Sequence, residues 1–379
     1  MLLPRGGATA EGRRNMKWAV AIACAALILA QAASGTIIRV PEDYSTIQAG
    51  INAASFGDTV LVGPGLYEET ITLAYGVYVT SEYGPAYTEI TAHGHIITGA
   101  DSSVFEGFRV TNDGLGTSWG YGWSESTTII RRNVFIGHYV GLHCGQTGSA
   151  ETIVNNVITD NAHSGITFGW DAAPIIENNI VYDNNAGLHH YGTGYAPTID
   201  YNDVWNNVTN YSNVTPGPND ISADPNFLNT AKRDWRLLWP SPCIDAGNPA
   251  THYNDPDGTR NDIGAYYFHQ GGPAAIYLTP DTTTVARGGS LGVTYTAINP
   301  SPTQPLSFYA KTEATLPNGN PFPVFLKQAG LGPGETKQVY ITHTVPMAAP
   351  LGLYLYTTYI GVPPNTLWDT DVFPFSVEP

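Results

Sequence analysis

Cysteine, methionine and charged side chains are scarce in this chain of 379 residues. It contains three cysteines, three methionines and only 13% charged residues. One cysteine, Cys24, lies in an apolar N-terminal run, so only Cys144 and Cys243 remain, too few for a disulfide framework. The sequence leaves open whether these two cysteines pair or stay as buried free thiols. In either case, packing has to supply most of the stability.

Basic residues are also few, with 16 lysines and arginines against 32 aspartates and glutamates, which gives a net charge of -16. Residues 1–32 hold four basic residues and one acidic residue, so the remainder carries a charge of about -19. A chain this acidic repels nucleic acid and anionic lipid. It also repels acidic polysaccharides unless a cation bridges the two. We therefore expect no nucleic-acid partner.

Long hydrophobic runs are missing except for one near the N-terminus. Arg13, Arg14 and Lys17 precede the apolar run 18–30, and the stretch Ala-Gln-Ala at 30–32 fits a small-x-small cleavage site. This pattern predicts a signal peptide over residues 1–32, with an uncleaved anchor as the alternative. Because no second long apolar run follows, we expect no membrane insertion of the mature chain. The sequence thus predicts a secreted protein, extracellular or at the cell surface.

Four stretches of the chain are copies of one short motif: TIIRRNVFIGHYVGLHCG, TIVNNVITDNAHSGITFG, PIIENNIVYDNNAGLHHYG and PTIDYNDVWNN. Aligned, they give three columns with steps of 23 residues, except that the last step is 24 residues in the second and third columns. The columns are Ile130, Ile153, Ile176 and Ile199; Val134, Val157, Ile180 and Val204; and Asn133, Asn156, Asn179 and Asp203. A repeat this short, rich in β-branched residues and without a helical period, predicts short strands that stack coil upon coil, about 4.8 Å apart. Asparagines in one column can then hydrogen-bond along the stack.

These motifs resemble those of right-handed parallel β-helix repeat proteins, the pectin-lyase-like fold. The resemblance covers about residues 36–270 and includes the opening IRVPEDYSTIQAGINAASFGDTVLVGPGLYEETITL and the closing SPCIDAGNP and DPDGTRNDIGAYYF. It implies an all-β fold with a right-handed parallel β-helix solenoid over residues 33–270. The family contains lyases, hydrolases, epimerases and adhesins, so the resemblance implies a fold and no particular reaction.

A short helix is predicted near the start of the solenoid. Ser45 and Gln48 have the spacing of a capping box, and Ile47, Ile51 and Ala54 share one helix face. We expect this N-terminal capping helix to cover the open end of the solenoid, where unpaired strand edges would otherwise be exposed.

The last hundred residues have a different pattern. Alternating strands with proline and glycine turns recur over residues 276–379, after a linker at 271–275. This pattern is typical of a small antiparallel β-sandwich of the immunoglobulin or fibronectin type, without its disulfide.

The glycines that open one strand of each repeat mark the position where a catalytic centre is expected. In the pectin hydrolases that the motifs resemble, this strand carries the catalytic carboxylates and a histidine, and glycoside hydrolysis needs two carboxylates. Asp113 and His163 fall at matching positions here, while Tyr139 stands where a carboxylate pair is expected. We therefore keep a lyase or glycoside hydrolase as an alternative function, with Asp113, His163 and Glu125 as its polar centre.

A strip of aromatic and histidine side chains gives the favoured interpretation. Flat, partly polar rings stack on sugars and hydrogen-bond their hydroxyl groups. The strip consists of Trp119, Tyr121, Trp123, Tyr139, His143, His163, Trp170, His189 and Tyr191. The sequence thus favours a protein that binds extracellular polysaccharide; a structural surface or matrix protein is the third interpretation. The oligomeric state cannot be predicted.

One acidic loop is a candidate metal site. The segment NDPDGTRND brings Asp255, Asp257, Asn261 and Asp262 around a glycine, so Ca²⁺ is the candidate cofactor. It lacks the ligand spacing and distal glutamate of an EF-hand loop. A turn braced by Arg260 is the alternative.

Overall fold

The computed structural model describes residues 35–122, 124–192, 197–363 and 366–379. The predicted signal peptide and Trp123 lie outside the described residues. The regular secondary structure of the described residues is almost entirely β-strand, with one α-helix and two 3-10 turns, Thr230–Lys232 and Thr251–Tyr253. No helix in these described ranges is long and apolar enough to cross a membrane.

Three parallel sheets form a solenoid in which each of seven coils contributes one strand to each sheet, and β1, before the first complete coil, adds an eighth strand to sheet 1. Sheet 1 contains β1 (Ile37–Val40), β2 (Thr59–Val62), β5 (Tyr78–Ser81), β8 (Val104–Glu106), β11 (Ile129–Arg131), β14 (Thr152–Val154), β17 (Ile175–Glu177) and β20 (Thr198–Asp200). Sheet 2 contains β3 (Gly65–Tyr67), β6 (Thr88–Ala92), β9 (Arg109–Asn112), β12 (Val134–Ile136), β15 (Val157–Thr159), β18 (Ile180–Tyr182) and β21 (Asp203–Trp205). Sheet 3 contains β4 (Ile71–Thr72), β7 (Gly94–Thr98), β10 (Ser118–Gly122), β13 (Val140–Cys144), β16 (Ser164–Gly169), β19 (Ala186–Tyr191) and β22 (Thr209–Ser212).

The interior of the solenoid is filled by aliphatic columns. The predicted isoleucine column is confirmed, since Ile130, Ile153, Ile176 and Ile199 are register partners in turn. In sheet 2 the interior column is Phe135, Ile158, Val181 and Val204. Because strand neighbours point to opposite faces, Val134 next to Phe135 points outward, and it is buried by later parts of the chain. The predicted match of Val204 with Ile180 is therefore wrong: Val204 pairs with Val181, and Asp203 pairs with Ile180.

Two asparagine ladders run along the corners between sheets. In the first ladder, at the corner of sheets 1 and 2, each backbone N–H donates to the side-chain oxygen of the next member, at 3.0–3.1 Å; its members are Asn133, Asn156, Asn179 and Asn202. Asn202, and not the predicted Asp203, is the last member. In the second ladder, at the corner of sheets 2 and 3, the corresponding distances are 2.9–3.0 Å; its members are His138, Asn161, Asn184 and Asn207. Both ladders satisfy backbone groups at bends where no strand partner is available.

The α-helix, α1 (Ile47–Ala53), packs Ile47 and Ile51 against the first coils. Its N-cap is Thr46, whose hydroxyl accepts from the N–H of Ala49 at 3.2 Å, so the predicted capping box at Ser45 is wrong. The carboxylate of Glu69 accepts the N–H groups of residues 47 and 48 at 2.8 and 2.9 Å. A carboxylate at this end is favourable because the helix N-terminus carries partial positive charge.

After the last coil the chain returns along the outside of sheet 2. This closing segment, residues 226–270, includes the hairpin β23 (Phe227–Asn229) and β24 (Asp234–Leu237). Its buried side chains, among them Trp235 and Ile263, cover the outward column of Val134, Val157 and Ile180. Cys243 lies in the same cluster as a free thiol, and Cys144 is free inside the solenoid.

The remaining residues form two sheets that share a hydrophobic cluster. One has the antiparallel order β25-β27-β30, with β25 (Ala275–Pro280), β27 (Ser290–Ile298) and β30 (Thr336–Thr344). The other has the order β26-β32-β31-β28-β29 and is antiparallel except for the β26–β32 pair. Its strands are β26 (Thr284–Ala286), β28 (Leu306–Thr315), β29 (Pro321–Leu331), β31 (Gly352–Val362) and β32 (Thr366–Glu378).

Candidate functional site

A continuous column of rings runs along the outer side of sheet 3, across five successive coils. His95 stacks on Trp119 with ring centroids 4.8 Å apart, and Trp119 meets Tyr139 edge-on at 5.9 Å. Tyr139 contacts His163 at 5.0 Å, and His163 contacts His189 at 5.4 Å. We call these five residues the aromatic column.

The register of sheet 3 explains the aromatic column. Trp119 is the direct partner of His95 on the preceding coil, so their rings lie one above the other. Tyr139 and His163 come just before β13 and β16, where the chain turns into sheet 3. Tyr139 is exposed, and the other four rings are partly buried. Each ring therefore packs against its neighbour in the column and keeps part of its surface accessible to solvent.

A second group of rings lies at the other end of the sheet 3 strands. His143 and Tyr191 stack at 5.7 Å, and the hydroxyl of Tyr191 lies 3.0 Å from His143 Nε2. Trp170 packs edge-on against Tyr191 at 5.1 Å and remains exposed. Six predicted binding residues are thus placed in two neighbouring groups on one sheet, together with His163.

Tyr121 is not part of this surface. Its side chain is fully buried inside the solenoid, where Tyr121 pairs with Leu142 of the interior column. Its hydroxyl lies 2.9 Å from Ser126 Oγ and 3.4 Å from a carboxylate oxygen of Glu151. Trp123, also predicted for the strip, is outside the described residues. His95, in contrast, belongs to the aromatic column but was not predicted from the sequence.

Glu151 is itself an unusual buried acid. Its side chain is fully buried, and one of its oxygens accepts from Ser126 Oγ at 3.1 Å while the other has no hydrogen-bond partner. Burial raises the pKa of Glu151 to about 7. This acid has no access to the outer surface of sheet 3.

The three predicted catalytic residues do not converge. Asp113 pairs with His93 Nδ1 at 2.7 Å, and this hydrogen bond, with a backbone N–H from Leu115, lowers the pKa of Asp113. His163 lies two coils further on and contacts the rings of the aromatic column. Glu125 is exposed beyond the opposite end of β10, a strand about 16 Å long. The structure therefore shows no catalytic centre formed by these residues.

His138, a neighbour of Tyr139, has a structural role. It is buried, its Nδ1 lies 2.9 Å from Ser118 Oγ, and its Nε2 lies 3.0 Å from the carbonyl oxygen of Val110. Burial lowers the pKa of His138 to about 4. Burial also lowers the pKa of His189 and of His143, with smaller effects of neighbouring histidines. These three rings are therefore uncharged at neutral pH.

In the structure, the side-chain oxygens of the predicted calcium loop are engaged in hydrogen bonds. Asp255 accepts from the backbone N–H of Asp262 at 2.9 Å, and Asp257 accepts from the N–H of Gln270 at 2.7 Å. Asp262 accepts from two backbone N–H groups, and Asn261 Oδ1 accepts from Asn155. Among the described residues, no group of three or more His, Cys, Asp or Glu is arranged to hold a metal. The three aspartates accept backbone N–H groups of the closing segment, and Asn261 accepts the side-chain amide of Asn155, so these oxygens hold the loop to its surroundings.

The braced turn is the arrangement that the loop adopts. Arg260 donates from Nε to the carbonyl of Gly247 at 2.7 Å and from a terminal nitrogen to the carbonyl of Ala246 at 3.1 Å.

The family comparison agrees with the architecture. Residues 75–228 match the family model described as "Right handed beta helix region". This part of the chain is a β-helix repeat region, and the resemblance seen in the sequence is confirmed. A search of curated proteins finds no match.

Solved structures give only remote likenesses. An alkylpurine DNA glycosylase from Pseudomonas fluorescens matches with 14% identity and a TM-score of 0.25, over 28% of this chain and 31% of the glycosylase. A β-glucuronidase from Bacteroides uniformis matches with 15% identity and a TM-score of 0.24, over 27% of this chain and 14% of the enzyme. A CARDB domain from Pyrococcus furiosus, solved with di-metal ions, matches with 14% identity and a TM-score of 0.22, over 28% of this chain and 89% of the domain. Likenesses this weak carry no argument about function.

Proposed function

We propose that this is a secreted protein that binds extracellular polysaccharide along the aromatic column. In this proposal the solenoid is a right-handed β-helix, α1 caps its open end, and the two C-terminal sheets form a β-sandwich. The observation that supports binding most directly is the unbroken run of ring contacts across five coils.

The aromatic column has the chemistry that a sugar chain requires. Each ring offers an apolar face for the C–H groups of a sugar, and the histidine nitrogens and the tyrosine hydroxyl can hydrogen-bond its hydroxyls. The rings follow one another at 4.8–5.9 Å along the coil stack, so a linear polymer can contact several at once. Many weak contacts on one rigid surface add up without any enclosed pocket.

Charge narrows the class of glycan. The chain carries a net charge of -16, and the histidines at 143 and 189 have lowered pKa values. At this net negative charge, an acidic polysaccharide would be repelled unless Ca²⁺ or another cation bridges it to the protein. We therefore propose a neutral or cation-bridged polysaccharide.

Cleavage is less well supported than binding. Glycosidases place their two carboxyl groups about 5–9.5 Å apart, whereas Asp113 and Glu125 lie beyond opposite ends of β10. A lyase or hydrolase would need a centre other than the predicted one. A purely structural role remains the third candidate, and it predicts that the aromatic column has no soluble ligand.

The test is calorimetric titration of residues 33–379 with neutral and acidic polysaccharides, with and without calcium. Trp119→Ala and Tyr139→Ala should each weaken binding by about tenfold or more, because aromatic anchors at the centre of an interface dominate affinity. Tyr75→Ala is the control, since Tyr75 is 63% exposed and lies outside the aromatic column.

Mass spectrometry of the glycan after incubation separates binding from cleavage. Intact polymer is the expected result. Fragments heavier by one water would indicate hydrolysis and unsaturated fragments elimination, and either would overturn a purely binding role. Equal affinities of the column variants and Tyr75→Ala would show that the glycan binds elsewhere.

A further inference from the structure

A cavity of about 630 Å³ lies between the two C-terminal sheets. Leu291 and Val345 line it beside the three-stranded sheet, and Tyr356, Phe375 and Val377 line it from the five-stranded sheet. These five side chains are buried, yet they leave the space between them unfilled. Protein interiors are normally packed to the density of organic crystals, so a gap of this size has the character of a pocket.

The position of the pocket follows from the strand order. β30 is the last strand of the three-stranded sheet and β29 the last of the five-stranded sheet. Both strands line the pocket, and Phe322 of β29 stands at its mouth, 54% exposed. Where two sheets pack face to face, side chains from both inner faces fill the space of about 10 Å between the sheets. Here the two end strands leave that gap open to solvent.

One part of the pocket wall is polar. His343 and Tyr356 both line the pocket, and the hydroxyl of Tyr356 lies 2.7 Å from His343 Nε2. Behind them, the hydroxyl of Tyr295 is hydrogen-bonded to Tyr356 and lies 3.2 Å from the same nitrogen. A few fixed polar groups in an apolar wall are typical of small-molecule sites, whose volumes are about 300–1,000 Å³.

The lining also excludes charge. None of the pocket's lining residues, all in the part of the chain that the structure describes, is an aspartate, glutamate, lysine or arginine. Burial, with a smaller effect of Lys327, lowers the pKa of His343, so its ring is uncharged at neutral pH. A charged ligand would lose its hydration here without gaining a partner of opposite charge.

We propose that this pocket binds an uncharged, largely apolar small molecule that carries one hydroxyl or carbonyl group. The apolar body lies between the two sheets, and the oxygen hydrogen-bonds with His343 and Tyr356. This site is separate from the aromatic column and does not depend on the polysaccharide proposal.

The experiment uses Nile red, an uncharged apolar dye with a carbonyl group, titrated into residues 33–379. We expect a saturable rise in fluorescence with one dye per chain. Decanol should displace the dye at a concentration about tenfold lower than decanoate at pH 8, because the carboxylate has no partner in the pocket.

Two variants locate the site. Ala349→Phe places a large side chain into the pocket from its buried wall. Phe322→Ala removes the aromatic side chain that stands at the pocket entrance. Each should weaken dye binding by about tenfold or more. Leu326→Ala is the matched control, because Leu326 lies on the same strand, is 63% exposed and does not line the pocket.

Thermal unfolding of each variant is measured in parallel. If Ala349→Phe unfolds, Phe322→Ala decides the outcome, since that side chain is largely exposed and its loss leaves the core intact. The proposal is overturned if the dye does not bind, if Leu326→Ala weakens binding as much as Phe322→Ala, or if decanoate competes as well as decanol. Binding of an extended peptide that protects the edges of β29 and β30, with no dye binding, would also overturn it.

Discussion

Replacing Asn184 with alanine removes one member of the second asparagine ladder and tests whether the ladder stabilises the solenoid. The side-chain oxygen of Asn184 accepts from the backbone N–H and from the amide of Asn161, at 3.0 and 2.8 Å. Its own amide donates to the carbonyls of Ile158 and Tyr182 and to Asn207 Oδ1, at 2.9–3.1 Å. Alanine breaks all of these bonds.

The expected cost follows from what is left behind. The N–H of Asn161 loses its acceptor in a position that is 2% exposed, so water cannot replace it. One buried, unsatisfied donor costs about 1–3 kcal/mol, and each lost net hydrogen bond adds about 0.5–1.5 kcal/mol. We therefore expect Asn184→Ala to lower the free energy of unfolding by about 2–4 kcal/mol.

The adjacent Asn185 provides a matched control. Its side chain is exposed, so Asn185→Ala should change the free energy of unfolding by less than about 0.5 kcal/mol. Urea denaturation measures both variants, and hydrogen exchange of the Asn161 amide measures the local effect. In Asn184→Ala that amide should exchange about 30-fold faster or more.

Equal effects of the two substitutions would refute the reasoning. So would a loss below about 1 kcal/mol for Asn184→Ala together with unchanged exchange at Asn161. Either result would mean that backbone hydrogen bonds within the sheets supply the stability and that the asparagine ladder adds little to it.

Two further predictions concern buried charge. Burial raises the pKa of Glu151 to about 7, above the usual 4.5, so between these two values the folded state keeps a proton that the unfolded state has lost. The protonated carboxyl group therefore stabilises the fold at acid pH, and this stabilisation is lost as the pH rises through 7. We measure the free energy of unfolding by urea denaturation at pH 5 and at pH 8. From pH 5 to pH 8 it should fall by roughly 3 kcal/mol more in the wild type than in Glu151→Gln. Arg236→Ala should lower the free energy of unfolding by about 3–5 kcal/mol in the same assay at pH 7, because it would leave the buried carboxylate of Asp234 and the half-buried carboxylate of Asp371 without the arginine that pairs with them at 2.6 and 2.7 Å.

Both substitutions have controls nearby. Glu125→Gln changes an exposed glutamate at the same corner of the solenoid as Glu151 and should leave the pH dependence unchanged. Arg233→Ala removes an arginine that is 52% exposed and should cost less than about 1 kcal/mol. A parallel pH response of wild type and Glu151→Gln would contradict the first prediction, and equal costs for the two arginines would contradict the second.

The period of the solenoid could be predicted from the sequence because stacking forces equivalent residues into columns. The isoleucine column has this property and was placed correctly. The asparagines were harder, since two often stand side by side and only one enters a ladder. At positions 155 and 178 the backbone has positive φ, 54° and 57°, and the side chain points away from the ladder. Composition alone does not separate the two positions, since asparagine suits both.

The surface strip was predicted in outline but not in every member. Aligning Gly120 with Gly141 would have matched Tyr121 with the interior Leu142, so this error could have been avoided from the sequence. The hydrogen bonds of the acidic loop at 254–262 could not be predicted in this way. Whether its carboxylates face a cation or their own backbone depends on turns that no short motif defines.

The closing segment determines where mechanical load enters the solenoid. Asn155 Nδ2 donates to the carbonyls of Asp262 and Gly264, at 2.8 and 3.2 Å, and Asn178 Oδ1 accepts from the N–H of Asn248 at 2.7 Å. These contacts fasten the segment to the fifth and sixth coils before the chain reaches the C-terminal sheets. Tension applied to those sheets would thus be borne by these hydrogen bonds at the fifth and sixth coils and by the buried apolar contacts beside them. The final coil, which would otherwise be the first to unfold under tension, does not bear that load.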